Sequence, residues 1–307
     1  MVVSHRTKRY LLKLLGLFSV IRGYNILTIC IAQYLAAVFV FSKNESFKEV
    51  FFNDVLFMLV VAGAFAVAGG YVINSFYDYE KDFINNPLKS MVDRLISQNT
   101  KLTAYFLLNF FSIFVAGYVS FRAILFFSAY IFGMWFYSHR LKKIPFIGNV
   151  VAALLAIIPF FAIFLYYKNF DTIIFVHAFL VFLLILIKDF TKDLKGLKGD
   201  LAQNYQTIAV KYGEKVSKIA ISVAVLMCFS PIYVLLTHFD VGNMKYYLAF
   251  TCVFLCFFVF FIWISNKQKQ YFLLHNSLKI ILISGVFSIS LIDTWWIKEI
   301  CRCSNPF

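Results

Sequence analysis

Nine stretches of mostly apolar residues dominate this sequence, near residues 23–41, 55–77, 102–119, 121–138, 146–167, 172–189, 216–237, 246–265 and 278–297. Each approaches the roughly 20 residues a helix needs to cross the hydrocarbon core of a bilayer. The third and fourth are separated by so short a turn, around Arg122, that they read as a helical hairpin. The rest of the composition agrees: 62% of the chain is apolar, 20% aromatic and 14% charged, with a mean hydropathy of +0.80. A soluble domain carries about a quarter charged residues. One water-soluble core cannot hide this much apolar surface, which excludes a soluble enzyme, a disordered chain and a soluble nucleic-acid binder. The expected class is an all-α polytopic membrane protein of nine transmembrane helices, with membrane lipid as a partner and nucleic acid as none.

Charge placement supports that count. With the N-terminus in the cytoplasm and each span flipping sides, only Lys43, Lys48, Arg122, Lys168, Lys245, Lys298 and Arg302 of the 29 basic residues fall outside. This is the positive-inside pattern, and it predicts a cytoplasmic N-terminus and a non-cytoplasmic C-terminus. Residues 1–22 read as a basic, amphipathic cytoplasmic lead-in, without the small-x-small site of a cleaved signal peptide. Residues 23–297 read as one transmembrane domain, and 298–307 as a short outer tail. The spans fall weakly into two four-helix pseudo-repeats plus one helix. The expected location is a multi-pass position in a cell membrane, the inner membrane if the source is bacterial. Of six cysteines, four lie in apolar runs and act as small hydrophobes. Cys301 and Cys303 form a C-x-C pair too weak to argue for a metal, and the C-terminus is one residue too long for a prenylation box.

Eight acidic residues fall on the inner side, all in two segments. Asn74, Asp78 and Asp82, four apart after span two, share one helical face; Pro87 then ends any helix. Asp189 and Asp193, after span six, repeat the spacing. Gly196 and Gly199 are predicted to open that helix into a loop, leaving Asp200 free to swing back. A solvated helix end has no need of such clusters. Their chemistry suits Mg²⁺, a hard ion held by one or two carboxylates plus substrate phosphates, and so a diphosphate leaving group clamped by metal, lysine and arginine. A transporter is the competing class, but it favours ionisable residues in mid-span, whereas these sit at span ends. A non-catalytic scaffold has no use for two carboxylate sets.

The pattern N-x-x-x-D-x-x-x-D over Asn74–Asp82, with D-x-x-x-D over Asp189–Asp193 and the trailing Gly199-Asp200, resembles the UbiA-type intramembrane prenyltransferases. Similarity extends to Ile21–Leu27 with Gln33-Tyr34, to Tyr137–Asn149, and to Thr207–Gly213. Within the family, the chain looks most like the geranylgeranylglycerol-phosphate geranylgeranyltransferase branch. The resemblance implies helices around a central cavity open to lipid, and Mg²⁺-dependent transfer of an isoprenoid from an allylic prenyl diphosphate to a lipophilic acceptor. That acceptor is best guessed as geranylgeranylglyceryl phosphate; 4-hydroxybenzoate, a naphthoate or a homogentisate-like ring are the alternatives. Asp78, Asp82, Asp189 and Asp193 are then the catalytic carboxylates and Mg²⁺ ligands, with Asn74 and Asp200 as further metal candidates. Lys89, Arg94, Lys142 and Lys192 are candidates for diphosphate contact. Arg22 and Asn25 are candidates for acceptor or diphosphate binding, and Tyr137 for a hydrogen bond in the site. Two departures stand out: Gly196 occupies a position where an acid is common, and Lys89 follows Pro87 where the family carries an Arg-Pro, keeping the charge but not the planar fork. No obligate protein partner is inferred.

Overall fold

The computed structural model describes residues 15–42, 45–85 and 87–292, without the side chains of residues 88, 89 and 92. Cys301, Cys303 and the expected outer tail, with most of the basic lead-in, fall outside the described residues. Nine helices long and apolar enough to cross a membrane are present among the described residues: α1 Gly23–Phe41, α2 Asp54–Tyr77, α3 Gln98–Val119, α4 Phe121–Lys143, α5 Ile147–Tyr167, α6 Thr172–Ala202, α7 Gly213–His238, α8 Met244–Ile264 and α9 Gln268–Leu291. No strand occurs among these residues.

The count matches the apolar runs, and three boundaries differ. The last span, expected over 278–297, begins at Gln268. Its polar first turn is helical because the Gln270 side chain accepts from the backbone N–H of Asn266 (2.9 Å) and Lys267 (3.0 Å), satisfying donors that a helix start otherwise leaves orphaned. The sixth helix does not open at Gly196 and Gly199; it runs unbroken to Ala202. Finally, α2 does not end the helical path: Tyr79–Asn85 forms a short helix, and Pro87–Asp93 another, with Pro87 at its first position, where a missing N–H costs nothing.

The helices fall into two compact units. Of the described residues, one comprises those within 15–30, 57–151 and 196–211; the other comprises those within 31–56, 152–195 and 212–292. In the first, α3 and α4 form the expected hairpin. The connecting Ser120 is extended, and its hydroxyl accepts from Ala123 N–H at 3.1 Å to cap α4. Gly69 and Gly70 let α2 pack closely, against Asn109 of α3 and Met134 of α4. Ser112 of α3 donates to the Ala62 carbonyl of α2 at 2.8 Å. Val72, Ile73 and Tyr105 form a small core with Val20 from the helical stretch 15–21.

In the second unit, α8 packs against both α7 and α9, burying Leu248, Leu255, Phe258 and Ile262. Tyr247 reaches over Gly285 to the Ile281 carbonyl of α9 (3.0 Å). Gln33 of α1 donates to the Pro159 carbonyl in α5 at 3.0 Å. Lys218, almost wholly buried, donates to the Ser265 carbonyl at the end of α8 (2.7 Å) and pairs with Glu214 (2.8 Å), a cation at the negative end of a helix.

Candidate prenyl-transfer site

The first carboxylate motif lies where α2 gives way to the short helix that follows. The backbone stays helical through the junction: Asp78 N–H reaches Asn74 (2.9 Å) and Asp82 N–H reaches Asp78 (2.8 Å). Asn74 and Asp78 therefore stack as the spacing predicts, and the Asn74 amide donates to Asp78 Oδ2 at 2.9 Å. Asp78 is 7% exposed. Its other oxygen takes the Lys142 ammonium from the end of α4 at 2.7 Å and the Tyr205 hydroxyl at 2.8 Å. Lys142 also donates to Asn74 Oδ1 at 3.3 Å. Burial pushes the Asp78 carboxyl up, but the charges of Lys142 and Lys81, with the hydrogen bonds from Lys142 and Tyr205, outweigh it and hold it at about 2. The Tyr205 hydroxyl is pushed far up, first by burial and then by the Asp78 carboxylate it serves.

A second ion pair adjoins this one. Asp200 is buried and pairs with Lys81 Nζ at 2.7 Å, while Thr207 donates to its other oxygen at 3.3 Å. The ammonium groups of Lys81 (4.2 Å), Lys143 (5.2 Å) and Lys142 (5.7 Å) all lie over the Tyr205 ring, within cation–π range. Asn204, in a left-handed conformation at φ 54°, turns the chain so that Tyr205 returns to the site.

Asp82 lines a small neighbouring pocket with Ser75, Tyr79, Ser90, Asp93, Arg94 and Lys101. There the Arg94 guanidinium lies 3.8 Å from the Phe83 ring centre and 4.9 Å from that of Tyr79. Lys101 is buried and donates to Ser75, and Ser19 donates to Asp93 at 2.7 Å. Arg22 lies over Tyr71 at 5.0 Å, in a left-handed conformation at φ 54° that joins the 15–21 helix to α1. Asn25 and Tyr137 are half-buried in α1 and α4. The Lys89 side chain lies outside the described residues.

The second motif belongs to the other unit. Asp189 and Asp193 are both buried near the end of α6. Lys192, half-exposed, stands 3.4 Å from Asp189 Oδ1.

The two glycines after this motif have a role that local propensity did not foretell. Asn85 packs on both, and its side-chain oxygen accepts the Gly199 N–H at 3.0 Å. A Cβ at Gly199 would overlap the Asn85 amide, and one at Gly196 would stand 3.3 Å from it. Glycine here admits a neighbour rather than a bend. At Gly196 too, any side chain would press on the Asn85 amide. Asp200 consequently does not swing freely but stays on the helix, in its pair with Lys81. Tyr205, Lys81 and Asn85 carry no site signal in the sequence, and Thr207 shows there only as the start of the similar segment Thr207–Gly213. Only the i,i+4 rhythm signals a site there, and these four lie off it.

The donor set suits magnesium. Asn74, Asp78 and Asp82 offer hard oxygens, and a cation, the Lys142 ammonium, already sits against the oxygens of Asn74 and Asp78. Within either unit no three of His, Cys, Asp and Glu among the described residues converge as a closed metal cage would require. An ion that keeps waters and shares itself with substrate phosphates needs no such cage.

Comparison with known proteins agrees with this picture. A digeranylgeranylglyceryl phosphate synthase from Methanobrevibacter smithii is 29% identical over 269 residues, covering 82% of this chain and 88% of that synthase. One from Saccharolobus solfataricus is 28% identical over 244 residues, covering 78% and 84%. Among solved structures, one described as digeranylgeranylglyceryl phosphate synthase superposes with a TM-score of 0.68 at 18% identity, covering 91% of this chain and 98% of its own. A UbiA homologue from Archaeoglobus fulgidus bound to GPP and Mg²⁺ gives 0.66 at 14%, covering 89% and 99%. The UbiA prenyltransferase family matches residues 15–281, nearly the whole chain, and the protein therefore belongs to that family of membrane prenyltransferases.

Proposed function

We propose that this enzyme moves an isoprenoid from an allylic prenyl diphosphate to geranylgeranylglyceryl phosphate, with Mg²⁺ as its cofactor. The observation that carries the reading is the buried Asp78 carboxylate, with the half-buried Asn74 amide and a cation against it, in a chain whose relatives are named digeranylgeranylglyceryl phosphate synthases. The bound GPP and Mg²⁺ of the Archaeoglobus homologue support the donor and metal classes.

Asn74, Asp78 and Asp82 would be the metal ligands of the first motif, and Asp189 and Asp193 those of the second. Bound there, Mg²⁺ would stabilise the negative charge that the departing diphosphate acquires as its bond to the allylic carbon breaks. The chain's own cations, Lys142, Lys192, Arg94 and Lys89, would bind the diphosphate oxygens. Arg22 and Asn25 would bind the acceptor or the diphosphate, and Tyr137 would donate a hydrogen bond. Asp200, paired with Lys81 as Asp78 is with Lys142, would be the weaker further candidate for the metal. The enzyme would lie in the cell membrane with its N-terminus and both carboxylate motifs on the cytoplasmic side.

The test is turnover by purified protein with an allylic prenyl diphosphate, with and without Mg²⁺, offering geranylgeranylglyceryl phosphate and 4-hydroxybenzoate in competition. The expected product is the glycerol-lipid adduct, formed only with the metal. Asp78→Ala and Asp189→Ala should each abolish it while the protein stays folded. Near-normal turnover in both variants would refute the metal assignment, and preferential prenylation of the aromatic ring would refute the acceptor.

A further inference from the structure

We infer that the Lys142 ammonium is a resident counter-ion of the metal site: a divalent cation arriving at Asn74 and Asp78 displaces it, and the freed ammonium then binds the diphosphate. This rests on the functional reading above and adds an order of events to it.

The reasoning starts from saturation. Asp78 Oδ1 already has two donors, Lys142 at 2.7 Å and Tyr205 at 2.8 Å, and Oδ2 has the Asn74 amide at 2.9 Å. Asn74 Oδ1, the other oxygen of the set, also faces Lys142, at 3.3 Å. The Lys142 side chain is 5% exposed. A metal cannot reach Asp78 Oδ1 and Asn74 Oδ1 together while that ammonium stands between them. Two cations at one carboxylate repel each other, and the divalent ion has the stronger hold on hard oxygens.

The displaced ammonium has somewhere to go. It hangs on a flexible four-carbon stem, and the rings of Tyr77 and Tyr205 lie within 5.7 Å of it, so it can leave the carboxylate without entering apolar surroundings unpartnered. Tyr205 is the positioning residue of the exchange: its hydroxyl stays on Asp78 while the cation changes. The arrangement also explains how a carboxylate can be buried before any substrate arrives. A buried charge needs a partner, and Lys142 supplies one until the metal does.

Amine-specific labelling of the purified wild-type protein, resolved to single lysines by tandem mass spectrometry, tests the order. Three states are compared: no metal, saturating Mg²⁺ alone, and Mg²⁺ with inorganic pyrophosphate. The exposed Lys198 serves as control. Lys142 labelling should be low, then rise several-fold with Mg²⁺, then fall again with pyrophosphate, while Lys198 stays level. With Tyr205→Phe, the Mg²⁺ concentration that half-maximally raises the labelling should increase several-fold. Flat Lys142 labelling with Mg²⁺, whether because the pair survives or because metal does not bind alone, overturns the inference. If Mg²⁺-dependent prenyl transfer is nonetheless observed, the proposed function stands without it; absence of both prenyl transfer and metal binding would remove the function as well.

Discussion

The Lys81–Asp200 pair makes a prediction about what allows a carboxylate to be buried here. Asp200 is 1% exposed, whereas the Lys81 side chain is 16% exposed, and they meet at 2.7 Å. Lys81→Met keeps most of the stem and removes the charge, stranding a buried carboxylate with only the Thr207 hydroxyl. Removing one partner of a buried pair costs about 3–5 kcal/mol. Because Lys81 is partly wet, the lower end applies, about 3 kcal/mol, which at roughly 2–4 °C per kcal/mol lowers the midpoint by about 6–12 °C. Asp200→Asn alone should cost less, about 1 kcal/mol, since Lys81 can turn toward water and Thr207 keeps an acceptor. Asp200→Asn added to Lys81→Met should restore most of the loss. The assay is far-UV circular dichroism of the detergent-solubilised protein, all four species heated at one scan rate. Strictly additive losses, or a Lys81→Met variant as stable as wild type, would refute the pairing as the reason Asp200 is buried.

Two further outcomes follow from the same region. Gly199→Ala gains about 1 kcal/mol of helix propensity but loses the Asn85 hydrogen bond and forces its amide aside. The single variant should therefore change stability little, and the same substitution in an Asn85→Ala background should stabilise by about 1 kcal/mol, as thermal unfolding of the four species would show. Asp78 titrates at about 2 in the fold against 3.8 as its ordinary value. A depressed carboxyl stabilises the fold above its unfolded value, and the contribution is lost as pH falls from about 4 through about 2; it amounts to roughly 2 kcal/mol. Acid unfolding of Asp78→Asn should lack that segment, and an identical profile for the two proteins would contradict the charge balance around Asp78.

Length and periodicity made the spans and the carboxylate faces legible in the sequence, because both are local properties. Twenty apolar residues must be a membrane helix wherever they fall, and Asn74 and Asp78 stack whatever surrounds them. The remainder depended on encounters across the chain. Lys142 meets Asp78 across 64 residues, Tyr205 meets it across 127, and Asn85 meets Gly199 across 114. No spacing rule reaches that far. Gly196 and Gly199 show the direction of the error: read locally, they break a helix, yet the helix continues because a neighbour needs the space a side chain would fill. The same local reading frees Asp200 to swing, whereas it is among the most buried acids of the described residues.

The lysines carry a related lesson. They were read first as a topological signal, basic residues held on the inner side of a bilayer. Several do something more specific. Lys101 is fully buried beside Tyr79, Lys218 ties the end of α8 to α7, and Lys81 and Lys142 neutralise buried carboxylates. A positive-inside tally cannot distinguish these from lysines facing lipid headgroups, since it counts both by segment alone. The two uses are compatible for a physical reason. A prenyltransferase acting on a diphosphate needs cations, and buried carboxylates such as Asp78 and Asp200 need them as partners. The net charge of +14 is therefore not one signal, and Lys142, buried against the Asp78 carboxylate, is the lysine to test first for catalysis.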